Sequence, residues 1–170
     1  MQKPLPHEYN PYFQNYINLV GEGTFAELLD ANTQAAIDLL SNIPEEKHNY
    51  QYAPGKWTVK EVLMHLIDTE RVMSYRALVA ARGDSHTPLH PMDENAYAAS
   101  VDVTGRSMES LLTEFNAVRT ATSLLLNNLT DAQSMLTGNA ITHIFTLRSL
   151  GYIMIGHVQH HLNVLEERYL

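Results

Sequence analysis

The sequence contains no cysteine. This absence excludes disulfide bonds, thiolate nucleophiles, zinc sites built on thiolates and iron–sulfur clusters held by cysteine. Any metal chemistry in this chain must therefore use oxygen atoms or histidine imidazoles as ligands.

Basic residues are also scarce, with 11 Lys and Arg against 19 Asp and Glu, and the net charge is -8 with neutral histidines. A negative molecule repels phosphate backbones and anionic lipids, so we expect no nucleic-acid partner. No apolar run approaches the ~20 residues that a membrane-spanning helix requires, and residues 1–10 lack the apolar core of a secretory signal. We therefore predict a cytoplasmic protein with no membrane partner.

Apolar residues, in contrast, are plentiful. Hydrophobic residues make up 45% and charged residues 18% of the 170 residues. This is enough apolar material for a packed core, and the length is typical of one domain. No internal boundary is visible, so we predict a single domain covering residues 1–170.

Apolar residues recur at spacings of three and four in four long blocks, whereas the alternation typical of strands is scarce. The blocks cover residues 24–43, 58–82, 107–129 and 147–169. Thr24 can cap the first block, and Thr58 with Glu61 forms a capping-box pattern at the start of the second. Four helices of this length predict an all-α fold, a four-helix bundle.

Two of the connections between the blocks are long. Residues 44–57 and 83–106 contain several prolines and glycines, and the second link has room for a short helical turn around residues 93–99. Connections of this length predict a bundle that is not simply up-down-up-down.

Histidine is frequent, with nine in the chain, and three of the nine face inward on the predicted helices. His157 and His161 lie within about 20° of Leu150 on a helical wheel, in the middle of an apolar stripe, and His160 lies at its margin. His65 faces the buried side of the second block. Residues four apart on a helix are neighbours, so His157 and His161 can bind the same ion.

Three imidazoles from two helices, with one coordination position open, match the ligand count of a catalytic zinc-type site. The alternative is a set of ordinary core histidines, hydrogen-bonded to carbonyl groups or water. The pair favours a metal, because two buried imidazoles leave up to four ring nitrogens in need of partners, at ~1–3 kcal/mol for each one unsatisfied. The short HxxxH pattern also arises by chance, so spacing alone leaves both interpretations open.

Several other side chains are assigned structural roles. Trp57 is predicted to close one end of the bundle, with a role in a pocket as the alternative. Tyr75 and Arg76 are assigned to surface packing or an ion pair at the helix end, with a cleft beside the metal as the alternative. An apolar row facing away from His65 predicts a helix-to-helix dimer contact; it consists of Met64, Ile67 and Leu78. The histidines predicted to be solvated are His7, His48, His86, His90 and His143.

Three stretches of the sequence together resemble a known family. They are YAPGKWTVKEVLMHLIDTER at residues 52–71, Tyr75-Arg76-Ala77, and GHVQHHLNVLEERYL at residues 156–170. With the acidic segment that contains Asp93, Glu94 and Tyr97, they resemble the DinB-like superfamily of small bacterial proteins over residues 50 to 170. This match is more specific than the histidine spacing.

The resemblance implies a four-helix bundle, a homodimer, and a divalent metal (Zn, Ni or Fe) held by His65, His157 and His161. Relatives include thiol S-transferases and isomerases that use bacillithiol, mycothiol or glutathione. The resemblance alone does not determine the reaction.

Two classes of function follow. In the first, the metal activates a low-molecular-weight thiol such as bacillithiol, which attacks a small electrophilic substrate; the variant of this hypothesis is a metal-dependent hydrolase with Asp68 or Glu61 near the ligands. In the second, the protein is a non-catalytic, metal-stabilised bundle or a dimeric scaffold. The sequence assigns the three histidines as metal ligands and assigns no catalytic residue.

Overall fold

The structure is a computed structural model that describes residues 1–141 and 143–170. Its four long helices are α2 (Phe25–Ser41), α3 (Val59–Ala81), α5 (Met108–Asn127) and α7 (Leu147–Arg168). The shorter helices are α1 (Gln14–Leu19), α4 (Glu94–Ser100) and α6 (Asp131–Ser134), with 3-10 turns at Pro6–Glu8, Pro11–Phe13 and Glu45–Lys47. Strands β1 (Thr137–Asn139) and β2 (Ile144–Thr146) form an antiparallel hairpin.

The four predicted helices are confirmed, and their observed ends lie within two residues of the predicted ones. At the start of α3, the Thr58 hydroxyl accepts from the Glu61 N–H at 3.2 Å and the Thr58 N–H donates to the Glu61 carboxylate at 2.6 Å. This capping box satisfies two N–H groups that the helix leaves unpaired. The short turn predicted around residues 93–99 is α4.

The long helices form a bundle in which α2 and α3, although successive along the chain, do not pack closely against each other. Helices α2 and α3 each pack against both α5 and α7. This places α2 and α3 at opposite corners of the bundle, so the connection over residues 42–58 has to cross the bundle end. The prediction of a bundle that is not simply up-down-up-down is confirmed.

The core consists of two apolar clusters separated by a polar layer. One cluster gathers around Leu63, Leu111 and Leu165, and the other around Leu29, Leu126 and Ile153. Each long helix has at least one buried polar side chain between the two clusters; among them are Asn32, Glu70, Arg119 and His157. His157 therefore belongs to the bundle interior rather than to its surface.

The prediction of an outward-facing apolar row on α3 is wrong. Met64 and Ile67 are 7% and 0% exposed, and Leu78 alone of the three is exposed, at 40%. The helical wheel assumed one buried face, but α3 lies between α5 and α7 and also contacts α4 and β1, so most of its circumference in this region is covered. The dimer contact inferred from this row loses its basis.

The N-terminal segment, for which the sequence predicted no helix, packs against α7. The Glu8 carboxylate accepts hydrogen bonds at 2.7 Å from both the Thr146 hydroxyl and Nε of Arg148. Helix α1 approaches α7 closely at Gly156, where a Cβ atom would lie 2.1 Å from the carbonyl oxygen of Tyr16. Glycine at this position therefore lets α1 bring Tyr16 against the histidines that follow on α7.

Within the described part of the chain, no helix combines the length and the apolar character needed to cross a bilayer.

Candidate metal centre and pocket

Three histidine side chains from two helices meet inside the bundle. His65 lies on α3, and His157 and His161 lie one turn apart on α7. One ring nitrogen from each lies within 4.8 Å of the others, and Nε2 of His65 is 3.0 Å from Nε2 of His157. The structure thus brings together the three histidines that the sequence selected.

Burial controls the protonation of this cluster. It lowers the pKa of His65 to about 4 and the pKa of His161 to about 3, with the neighbouring histidines adding to the effect on His161. Burial also lowers the pKa of His157 well below its ordinary value. All three imidazoles are therefore neutral near pH 7, and each has a nitrogen lone pair available.

The cluster fits a divalent cation. Two nitrogens held tetrahedrally at ~2.0–2.1 Å from a zinc ion are about 3.3 Å apart, close to the 3.0 Å observed between His65 and His157. The Thr69 hydroxyl lies 3.5 Å from Nδ1 of His65, on the opposite side of that ring from Nε2. A contact on the second ring nitrogen orients the first, as at known histidine metal sites.

The cluster borders a pocket of about 410 Å³. This volume is in the range of small-molecule binding sites. Much of its wall is aromatic or apolar: Tyr12, Phe13, Tyr16, Trp57, Met73, Met92 and Ile153. Its charged lining side chains are Arg76 and Glu94, and His143, His160 and Asn10 add polar atoms.

Two aromatic side chains contact the histidines directly. The Trp57 ring lies 4.7 Å from the His65 ring, centroid to centroid, so Trp57 borders the pocket as well as the bundle end. The Tyr16 ring lies 5.5 Å from His157 and 5.4 Å from His160. Burial raises the pKa of Tyr16 to about 12, so its hydroxyl stays protonated.

The two carboxylates proposed to assist the ligands are engaged elsewhere. Glu61 belongs to the capping box of α3, and Asp68 lies 3.9 Å from Arg71. Neither lines the pocket. Glu94 of α4 does, and it lies close enough to His65 to oppose the fall in pKa that burial causes.

Some pocket residues were missed or misassigned from the sequence. Arg76 was assigned to the surface but is 8% exposed, whereas Tyr75 is 57% exposed. His143 is exposed, as predicted, and it also lines the pocket, with its Nδ1 3.0 Å from the Asn10 amide nitrogen. His48, which was also predicted to be solvated, is half-buried, with its Nε2 3.0 Å from the Ile43 carbonyl oxygen. The concentration of aromatic residues over residues 9–16 was the one sequence signal for the N-terminal wall.

The protein is a four-helix bundle whose connectivity is not simply up-down-up-down, and it has three neutral histidines beside a pocket of small-molecule size. The family model of the DinB superfamily matches residues 28–165, most of the chain. The chain therefore belongs to the DinB superfamily.

Solved structures of the same fold are distant in sequence. YfiT from Bacillus subtilis, described as a probable metal-dependent hydrolase with an unusual four-helix bundle topology, is 21% identical with a TM-score of 0.70, over 98% of this chain and 90% of YfiT. A mycothiol-dependent maleylpyruvate isomerase is 12% identical with a TM-score of 0.64, over 82% of this chain and 58% of that one.

A DinB-like protein from Bacillus subtilis, YjoA, is 17% identical with a TM-score of 0.60, over 85% of this chain and 88% of that one. At these identities the likeness establishes the fold. No curated protein sequence matches the chain significantly.

Proposed function

We propose that the chain is a metal-dependent enzyme in which His65, His157 and His161 hold a divalent metal ion beside a pocket for a small substrate. The observation that carries the proposal is the convergence of three neutral imidazoles at a pocket of small-molecule size. Three imidazoles suit Zn²⁺, Ni²⁺, Fe²⁺ and Cu²⁺, and availability decides among them. When bound, the ion supplies Lewis acidity to a group that enters its open position.

The residues of the chain itself bind and orient the substrate. The rings of Trp57 and Tyr16 lie against His65 and His157 and give the adjacent part of the pocket an aromatic wall. Because Tyr16 keeps its proton, its hydroxyl can donate a hydrogen bond to an oxygen atom of the ligand. Thr69 holds the ring of His65 in place.

The reaction that we favour is transfer to or from a low-molecular-weight thiol such as bacillithiol. The chain has no cysteine, so a sulfur nucleophile has to come from a cosubstrate. The predominantly apolar walls suit an electrophilic carbon compound, and attack by a thiolate needs no carboxylate base once the thiol has lost its proton. The fold shared with a mycothiol-dependent isomerase supports this choice.

A metal-dependent hydrolase is the second candidate, and Glu94 is the observation that favours it. Its carboxylate lines the pocket, and its charge opposes the fall that burial causes in the pKa of His65. A carboxylate in this position can take a proton from an attacking water. YfiT, which shares the fold, is described as a probable hydrolase.

One purification and two assays test these proposals. Protein made without a His tag or added metal is subjected to elemental analysis. It is then assayed for thiol consumption with 1-chloro-2,4-dinitrobenzene and for hydrolysis of 4-nitrophenyl acetate, with and without a chelator. We expect about one metal ion per chain and a chelator-sensitive loss of thiol.

Glu94→Gln separates the two candidates. Hydrolysis should fall with Glu94→Gln if that carboxylate is the base, whereas thiol transfer should persist. If metal-loaded protein turns over neither substrate class and the chelator lowers the melting temperature strongly, the protein is a metal-stabilised scaffold and the enzyme proposal fails.

A further inference from the structure

One buried arginine in the pocket has no acidic partner. Arg76 is 8% exposed and lines the same pocket as the three histidines. Its Nη2 donates to the carbonyl oxygen of His90 at 2.6 Å, and its Nη1 lies 3.8 Å from the sulfur of Met73. Among residues 1–141 and 143–170, no carboxylate forms an ion pair with it.

Two other arginines pair with carboxylates: Arg119, which is fully buried, and Arg148, which is half-buried. Arg119 is 3.1 Å from the Glu70 carboxylate, and Arg148 pairs with Glu8. Removing a guanidinium from water is unfavourable unless an opposite charge and hydrogen-bond acceptors replace the solvent. At Arg76, one carbonyl oxygen and one thioether leave most of its five N–H donors without a strong acceptor.

Arg76 and the histidine cluster lie on the same face of α3. Arg76 follows His65 by eleven residues, which is three helical turns and a rise of about 16 Å. Long helical side chains lean toward the N-terminus, and the contact with Met73 agrees with this direction. The guanidinium is therefore set back to roughly 10 Å from the Cα of His65 along the helix axis, and both side chains line the same pocket.

The negative charge of the pocket lies near the histidines. The charge of Glu94 acts to raise the pKa of His65 and of Tyr16, which lies next to the histidines, and the Glu94 side chain is exposed. The pocket thus has a metal-type cluster with an acidic neighbour, apolar and aromatic walls, and an unpaired cation further along α3.

We propose that Arg76 binds the carboxylate of a pocket ligand, so that the ligand is a small organic acid with an apolar body that reaches from the histidines to the guanidinium. A carboxylate matches the planar fork of arginine through two parallel hydrogen bonds. The carboxylate can come from the substrate or from the thiol cosubstrate, since both would occupy this pocket. The placement of the other end of the ligand at the histidines rests on the proposed function.

Trp57 is the single tryptophan of the chain, so its fluorescence reports binding in this pocket. Zinc-loaded protein is titrated with two matched pairs of probes: 4-phenylbutyrate against 4-phenylbutanamide, and glutathione against its diethyl ester. The first pair represents a substrate carboxylate and the second a thiol carboxylate. In at least one pair, the acid should bind about 10- to 100-fold more tightly than its neutral analogue.

Variants at position 76 establish the origin of this preference. Arg76→Met should remove the preference by weakening binding of the acid much more than binding of the neutral probe, and Arg76→Lys should keep part of it as a point charge. The control is Arg82→Gln, at the exposed end of the same helix, which should behave as the unmodified protein.

The inference is overturned if neither pair shows a preference for the acid, or if the preference survives Arg76→Met. If Arg76→Met fails to fold by circular dichroism, Arg76→Lys and the unmodified protein still provide the comparison. Zinc content is measured on every sample, so that protein without zinc counts against the proposed metal site, whereas zinc-loaded protein without acid preference counts against the role of Arg76 alone.

Discussion

Single side chains decide whether the pocket can bind a metal. Each of the three histidines is neutral because it is buried, and a neutral imidazole is the form that binds a cation. His160, although adjacent to His161 in sequence, points along the pocket wall and contacts Tyr16. This difference between neighbours offers a matched pair of variants.

His161→Ala should lose the metal, because it removes one of three ligands, while His160→Ala should retain it. Elemental analysis of both proteins, purified in parallel without added metal, measures the difference. Circular dichroism should show a folded protein in both cases, since His161 is partly exposed at the pocket. Equal metal contents in the two variants would contradict the assignment of His161 as a ligand.

At the scale of secondary-structure elements, the N-terminal segment is held to the start of α7 by Glu8. Burial opposes the charge of Glu8, but hydrogen bonds from Arg148, the Leu5 N–H and Thr146 outweigh it and lower the pKa of Glu8 to about 2. The same segment carries Tyr12, Phe13 and Tyr16 into the pocket wall. An ionised Glu8 therefore stabilises the wall as well as the helix start.

Glu8→Gln should destabilise the protein at neutral pH by up to about 3 kcal/mol, which corresponds to the fall in pKa from 4.5 to about 2. The unfolded chain takes up the proton first as the pH falls below about 4.5. The stability that Glu8 contributes is therefore complete above that pH and is lost as the pH falls to about 2.

Denaturant unfolding of both proteins between pH 7 and pH 2.5 measures this difference in free energy. Glu167→Gln is the control, because Glu167 is an exposed carboxylate on α7, the helix whose start Glu8 contacts, and it should change the free energy of unfolding little at any pH. A difference between Glu8→Gln and the unmodified protein that does not shrink toward low pH would refute the role of the ionised carboxylate.

At the scale of the whole molecule, a polar layer crosses the middle of the bundle. Arg119, 1% exposed, contacts the Glu70 carboxylate at 3.1 Å and the Asn32 side-chain oxygen at 2.5 Å. These residues join α2, α3 and α5 between the two apolar clusters. Within the described residues, one polar atom on each of the three has no hydrogen-bond partner, so the layer is incompletely satisfied.

Glu70→Leu should lower the free energy of unfolding by about 3–5 kcal/mol, because it leaves the Arg119 charge buried without its carboxylate. The triple variant with Asn32→Leu, Glu70→Leu and Arg119→Met should recover most of this loss, since apolar side chains of similar volume need no polar partners. Denaturant unfolding measures both. A single variant as stable as the unmodified protein would show that the ion pair does not matter for stability.

The sequence by itself determined the four long helices and the inward direction of the three clustered histidines. Helical periodicity and capping depend on residues within a few positions of each other, so the four long helices and the capping box at Thr58 could be located without a structure. The same local rule directed His65, His157 and His161 to buried faces. That they bind a metal, the homodimer and the cytoplasmic location stay predictions.

Only the tertiary structure decided which distant residues share the pocket. Met64 and Ile67 are covered because α3 has neighbours on several sides, and Arg76 is buried in the wall of the pocket that Pro91 and Met92 also line. The aromatic wall comes from residues 12–16, which reach α7 because Gly156 has no side chain. Burial depends on segments far apart in the chain, and a local pattern carries no information about them.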